Sequence, residues 1–427
     1  MGRNTKTDAQ RVLDKVTRFY LQSDRFNGLE LTTLATIFSW TLDRSRTVVR
    51  ELVDRRLVAL ASGENHPNPH IKALDPVDVD RQLQSLSDAD PHHVCIYPEA
   101  VHLKQVVKIE RYQGRPYTLR LALGEPQLRH AVFDLTVLEC YRNDPRYRYE
   151  HNDVQGSISA SHKTGRVTHR QRDRVLLETF GFAYNRQLDR AVASFLWYLS
   201  TLTREHQEFW RSKELRGKYL LHPEYYRTSI LGEWPEKESV FVAFLEEIRV
   251  INAMARAINR PVLFRREIEL KDRPREFAFL IRPTLKEFND FVQVLDKLLS
   301  DNLDIAFFQG EVDLDEKVER SDSRLEVKRK GSLSILEEWL RLRFKPRDPE
   351  SLSMMFTAFR NVRRLRSPSV HKIDDNEFSP NYFRKQRKLI IDAYGALRTL
   401  RLIIANHPGA QFVKVPGWLA KGEICFY

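Results

Sequence analysis

The last third of the chain limits the fold most sharply, because apolar residues recur there at helical spacing in four successive stretches. Phe288, Phe291, Val292, Leu295 and Leu298 line one face of residues 285–299, and Leu336, Trp339 and Leu340 do so in 333–344. Leu352, Met355, Phe359 and Val362 mark 350–366, and the longest stretch, 382–405, carries Leu389, Ile390, Ala393, Tyr394, Leu397, Leu400 and Ile404. A period near 3.6 residues is that of helices with one buried face. Four such faces can bury one another in a helical bundle. Pro346 and Pro349 stop the second helix. The charged tract 310–331 reads as an exposed hairpin inserted between helices, and 412–415 and 424–427 read as short strands.

At the other end, 8–23 carries Val12, Val16, Phe19 and Tyr20 at helical spacing, Asn27-Gly28 signals a turn, and 31–40 reads as a second helix. Asp43 suits an N-cap. The third helix, 44–56, turns Val48, Val49, Leu52 and Val53 inward and Arg44, Arg46 and Arg50 outward. Residues 57–61 and 70–74 then read as the two strands of a hairpin. Three helices, the third basic, followed by a hairpin resemble a winged helix-turn-helix. In such domains the third helix enters the major groove. The resemblance implies that Arg44, Ser45, Arg46 and Arg50 face nucleic acid, DNA above all, with His66 at the hairpin tip near a phosphate. Domains of this kind also dock proteins, so both partner classes stay open.

Between these ends the texture is mixed. Residues 75–90 are polar and acidic and read as a short helix and linker. The apolar runs 106–111, 118–123 and 132–141 read as strands, and 150–170 as an exposed loop. Residues 171–217 return to helical spacing, with Phe195, Leu196, Leu199 and Leu202 in one stripe. A helix over 239–259 is expected, on which Glu246 and Glu247 would be solvated. Residues 262–270 and 276–281 read as a hairpin. The fold class is therefore mainly α and multidomain: a winged helix-turn-helix over 1–80, a mixed α/β domain over 91–283, and a helical bundle over 284–427.

Composition bounds the rest. The 427 residues suffice for two to four domains, 42% hydrophobic content suffices for packed cores, and the net charge of +12 favours a polyanionic partner. Cys95, Cys140 and Cys425 form no C-x-x-C pair or disulfide framework, which fits a cytoplasmic setting. No apolar run approaches the length of a membrane span. His92, His93 and His102 have no carboxylates or cysteines at metal-ligand spacing, and no glycine-rich phosphate loop is present. Neither a metal nor a cofactor is expected.

The chemistry concentrates in 359–371, FRNVRRLRSPSVH. Pro368 is expected to end a helix just after Arg366, releasing the chain toward His371. A guanidinium grips phosphate in a fork geometry and a histidine moves protons near neutral pH. One of each suits metal-free RNA cleavage, in which the 2′-hydroxyl attacks the adjacent phosphate. A cation at a helix C-terminus is also favourable in any protein, so a purely structural Arg366 stays open. Asp374 and Asp375, close by, are the residues that would argue for a metal instead.

Arg366-Ser367-Pro368-Ser369-Val370-His371, between a preceding helix and a long following one, resembles the Arg–His motif of the HEPN helical nucleases. The resemblance covers about a quarter of the chain. It implies a homodimer with two motifs facing one RNA, His371 as general acid or base, and Arg366 on the scissile phosphate. Asn361 and Ser367 would support the site, although family members more often carry Asn, Asp or His where Ser367 stands. Arg360, Arg363 and Arg364 would meet the RNA backbone. The product would be a 2′,3′-cyclic phosphate. By the same resemblance the protein would be a toxin-like or phage-defence effector. The reading set against it is a non-enzymatic DNA-binding regulator that dimerises through its bundle.

Overall fold

The computed structural model describes residues 6–63, 68–160, 170–319, 325–344, 349–371 and 375–426, with backbone alone at 317–319, 325–326 and 367–371. The chain is mainly helical. It divides into two compact units, Met1–His151 with Gln155–Tyr226, and Asn152–Val154 with Arg227–Tyr427.

Unit 1 opens with α1 (Asp8–Gln22), β1 (Leu29–Glu30), α2 (Leu31–Phe38), α3 (Leu42–Asp54) and β2 (Val58–Ser62). Thr7 caps α1 in a capping box with Gln10. α3 begins one residue before Asp43 because the Thr41 hydroxyl accepts the Arg44 N–H, so Thr41 is the N-cap expected of Asp43. α4 (Val79–Asp88) and β3 (Val94–Pro98) follow, and the three strands form an antiparallel sheet in the order β1-β3-β2.

This corrects the hairpin. Val58–Ser62 pairs with Val94–Pro98, and 70–74 forms no strand. The reason is burial: all five residues of β3 are buried, whereas 70–74 places Lys72 among half-buried loop residues. Val12, Val16, Leu34, Val49, Leu52, Leu60, Leu86, Val94 and Ile96 share one core. β3 therefore ties the expected linker and the start of the expected middle domain to the first sheet. Gly28 is required beside it, since a Cβ there would lie 2.5 Å from the Tyr97 ring.

The remainder of unit 1 comprises α5 (Ala100–Val106), α6 (Pro116–Ala122), β4 (His130–Phe133), α7 (Glu139–Asn143), β5 (Tyr147–His151), β6 (Gln155–Ala160), β7 (Leu176–Tyr184), β8 (Arg190–Phe195), α8 (Leu196–Leu199), α9 (Arg204–Ser212), β9 (Leu220–Leu221) and α10 (Pro223–Tyr226). Its strands form one antiparallel sheet, β4-β8-β7-β6-β5, with β9 on β7. Several expectations reverse here. Helical turns stand at 100–106, 109–112 and 116–122 where strands were expected, 147–151 and 155–160 are strands within the expected loop, of which 161–169 lie outside the described residues, and 176–184 and 190–195 are strands rather than helix. Trp210 of α9 is buried edge-on against Phe133, ring centroids 4.8 Å apart.

Unit 2 contains β10 (Glu238–Ser239), α11 (Val240–Ala257), α12 (Leu285–Leu298), β11 (Asp315–Glu319), β12 (Leu325–Arg329), α13 (Ser332–Arg343), α14 (Pro349–His371), α15 (Asn381–Ala405), α16 (Gly417–Lys421) and β13 (Ile424–Cys425). α15 packs along both α11 and α14, and α12 and α13 pack on α14. The charged hairpin is present as β11 and β12. The expected hairpin over 262–281 is absent. Phe264 makes a single bridge to Leu303 instead, its carbonyl and N–H also engaged by the buried Asn252 side chain. In the tail, β13 pairs in parallel with β10, and 412–415 forms no strand.

Glu247 is not solvated. It is fully buried on α11, and Arg401 of α15 donates Nε to its Oε2 at 2.5 Å. Among the described residues, no helix is long and apolar enough to cross a membrane.

Candidate nucleic-acid interfaces

α14 is helical because Leu352, Met355, Phe356, Phe359 and Val362 fall on one buried face. Its first residue is Pro349, which suits a helix start because the missing N–H would be unpaired there anyway. The helix does not break after Arg366: its backbone runs through Pro368 to His371. The extended preference of a residue before proline is overridden, at the loss of the helix bond that residue 368 cannot donate. Arg366 therefore does not stand at a helix C-terminus.

Arg366 is instead the centre of an ion-pair cluster. Its Nη1 lies 2.6 Å from Asp296 Oδ2 and 2.5 Å from Asp301 Oδ2. Asp296 is fully buried on α12 and also accepts the Ser300 hydroxyl. Asp301 also faces Arg363 at 3.7 Å. The carboxylates raise the Arg366 pKa further above its already high ordinary value, first through the hydrogen bond to Asp296. One guanidinium shared between two carboxylates is a strong structural lock, and with Arg363 beside Asp301 the cluster's charges already balance, so a phosphate brought to Arg366 would have to displace a carboxylate.

Arg360 and Arg364 point elsewhere. Arg360 pairs with Glu337 of α13 and lies over the Phe356 ring. Arg364 is exposed and donates Nη2 to Asn361 Oδ1 at 2.9 Å. Asn361 and Arg364 face an open groove of about 850 Å³ between α14 and α15, closed on its far side by Lys388, Asp392 and Thr399. On a regular helix, position 371 falls about 140° round the axis from position 366 and about 20° from position 364. The side chains of Ser367 and His371 lie outside the described residues, as does the whole of His66 and Asp374.

On α3 the expected contact set is divided. Ser45 is fully buried, its hydroxyl donated to the Thr41 carbonyl at 3.1 Å, so it is no surface residue. Arg44 pairs with Asp8 at 2.8 Å and stacks over Trp40; the pair holds the Asp8 carboxyl below its ordinary range. Arg46 donates Nε to the Leu86 carbonyl at 3.1 Å, and Arg50 reaches the Ser87 hydroxyl at 3.2 Å. Both partners belong to α4, which packs on α3. The signal for α4 was present as Val79, Leu83 and Leu86 at helical spacing within the polar tract. Asp296 and Asp301 carried no comparable signal.

Compared with protein-family models, with curated proteins and with solved structures, the chain matches none.

Proposed function

We propose that this chain is a nucleic-acid-binding protein whose first hundred residues form a winged helix-turn-helix. One observation carries the reading. α2 and α3 are joined by a three-residue turn over 39–41, with Ser39 in the left-handed region, and they are backed by α1 and a sheet ordered β1-β3-β2. A helix pair with so short a turn is the scaffold of helix-turn-helix binders. The insertion carrying α4 stands between β2 and β3 and covers part of α3, so the reading does not depend on α3 reaching bases. Fluorescence anisotropy of the full chain with DNA duplex and single-stranded RNA at 50 and 200 mM salt tests it. Affinity should fall at least about tenfold across that range. Absence of binding to both at 50 mM would overturn it.

RNA cleavage by unit 2 is the second reading, favoured by the unbroken α14, on which Asn361 and Arg364 face the 850 Å³ groove and position 371 follows two turns beyond Arg364, about 20° from it round the axis. Metal-free chemistry there would give 2′,3′-cyclic ends in EDTA and lose about 10² to 10⁴ in rate on His371→Ala. Dimerisation of the helical unit, measured by light scattering, belongs to the same reading.

A further inference from the structure

A second basic region lies on unit 1, away from α3. α1 and the turn after α5 enclose a groove of about 470 Å³. Its walls carry Arg18 from α1 and Lys108, Arg111 and Tyr112 from the helical turn at Ile109–Tyr112 and the residue before it. His102 lies on the floor, Nε2 3.1 Å from the Thr17 hydroxyl, and burial lowers its pKa, so it adds no charge at neutral pH. Asp14 is the carboxylate of the lining, and Lys6 neutralises it at 2.5 Å. Arg18, Lys108 and Arg111 are exposed, and among the described residues none of them meets a carboxylate.

We propose that this groove binds single-stranded nucleic acid, holding phosphates with Arg18, Lys108 and Arg111 and stacking a base on Tyr112. The proposal rests on the nucleic-acid reading above and names its site. Three features select a single strand. The volume is that of a small-ligand pocket and admits a nucleotide or two, whereas a duplex keeps its bases stacked and presents a convex backbone. Tyr112 is half-buried in the wall and Val106 and Ile109 are 44% and 57% exposed beside it, which gives unpaired bases an apolar, aromatic surface. Lys104 and Arg115, both exposed, extend the cations beyond the groove, which suits a chain more than a lone nucleotide.

The test uses the full chain with a fluorescent twelve-residue oligouridylate, a duplex of equal length, and uridine monophosphate as competitor. Changing Arg18, Lys108 and Arg111 together to alanine should weaken single-strand binding at least tenfold. It should also flatten the dependence of log K on log salt by about 2, from roughly 0.7 per lost phosphate contact. Tyr112→Ala should weaken binding about fivefold or more with the salt slope unchanged, since stacking is not ionic. A control with Lys271, Lys414 and Lys421 changed to alanine should bind as the unaltered protein does. Single-strand binding that survives both groove variants overturns the inference while leaving the nucleic-acid reading standing. So does displacement by the monophosphate at concentrations matching the oligonucleotide. Absence of any binding by the unaltered chain defeats both.

Discussion

α3 and the segment from α5 to the start of α6 carry similar numbers of cations and hold them in opposite ways. On α3 and at its C-cap, Arg44 is paired with Asp8, Arg46 with the Leu86 carbonyl, Arg50 with Ser87 and Arg55 with Glu51 at 3.1 Å. Lys104, Lys108, Arg111 and Arg115 recur at spacings of four, three and four, are all exposed, and meet no carboxylate among the described residues. A cation serves a ligand only if the ligand replaces water and not an existing partner. Availability is thus decided by what neighbouring elements bring to the side chain.

The deepest case of an engaged cation gives the largest expected effect. Arg401 is 5% exposed against the fully buried Glu247, and Glu247 Oε1 has no hydrogen-bond partner among the described residues. Glu247→Leu leaves a buried guanidinium that cannot shed its proton, at a cost of about 3–5 kcal/mol. Arg401→Leu should cost less, because Glu247 can take up a proton. Burial already raises its carboxyl pKa above the ordinary value, despite Arg401 and the nearby Arg398; Glu246 adds to the rise. The sign follows. A carboxyl with a folded pKa above its unfolded one contributes stability that is present below the unfolded value and lost as pH rises through the folded one. The deficit of Arg401→Leu should therefore grow between pH 4 and pH 7 in urea melts, and a flat profile would refute the asymmetry.

Three further substitutions separate engaged from open residues at smaller cost. Leu86 of α4 is fully buried in the core of α1 and α3. Leu86→Ala should destabilise the protein by about 3 kcal/mol. A near-neutral result would mean that α4 is a loosely held cover whose arginine contacts come and go. Arg366→Ala strands the buried Asp296 and should cost about 3 kcal/mol, near the low end for a buried pair because Arg366 keeps 29% of its side chain exposed. Arg364→Ala, on an exposed turn, should stay within about 0.5 kcal/mol. Equal losses at the two positions would remove the distinction between them.

The helices of unit 2 were legible because each buries one stripe, so their apolar residues recur at the helical period. β3, β7 and β8 were not. All of β3 is buried, as are Phe180, Phe182 and Ala183 of β7 and Ala191 to Phe195 of β8. A strand covered on both faces loses the alternation that marks it. The spacing of Arg366 and His371 was legible in the same local way. Its surroundings were not: Asp296 and Asp301 lie 70 and 65 residues upstream, and Arg401 lies 154 residues beyond Glu247. Pairings at that range follow from helix packing and leave no local pattern. The short helix expected in 75–90 is α4, but its polar exposed residues gave no sign that its buried stripe packs on α3.

The smallest expected effect bears most directly on the comparison. Changing Arg44, Arg46 and Arg50 together to alanine removes pairs that are mostly solvent-exposed, each worth a few tenths of a kcal/mol to about 1. Stability should fall by about 1 kcal/mol in total. Nucleic-acid affinity should change less than about threefold, with the salt slope retained, because these guanidinium groups already have partners on α1 and α4. The result that would reverse the assignment is a duplex affinity falling tenfold or more with a slope flatter by about 2.7, from roughly 0.9 per lost phosphate contact. α4 would then have to leave α3 when duplex binds. The Leu86 carbonyl and the Ser87 hydroxyl would be exchanged for phosphate oxygens, and α3 would be the reading surface that the proposed helix-turn-helix requires. Hydrogen exchange of α4, followed with and without duplex, distinguishes the two: protection unchanged on binding keeps α3 closed, and protection lost opens it.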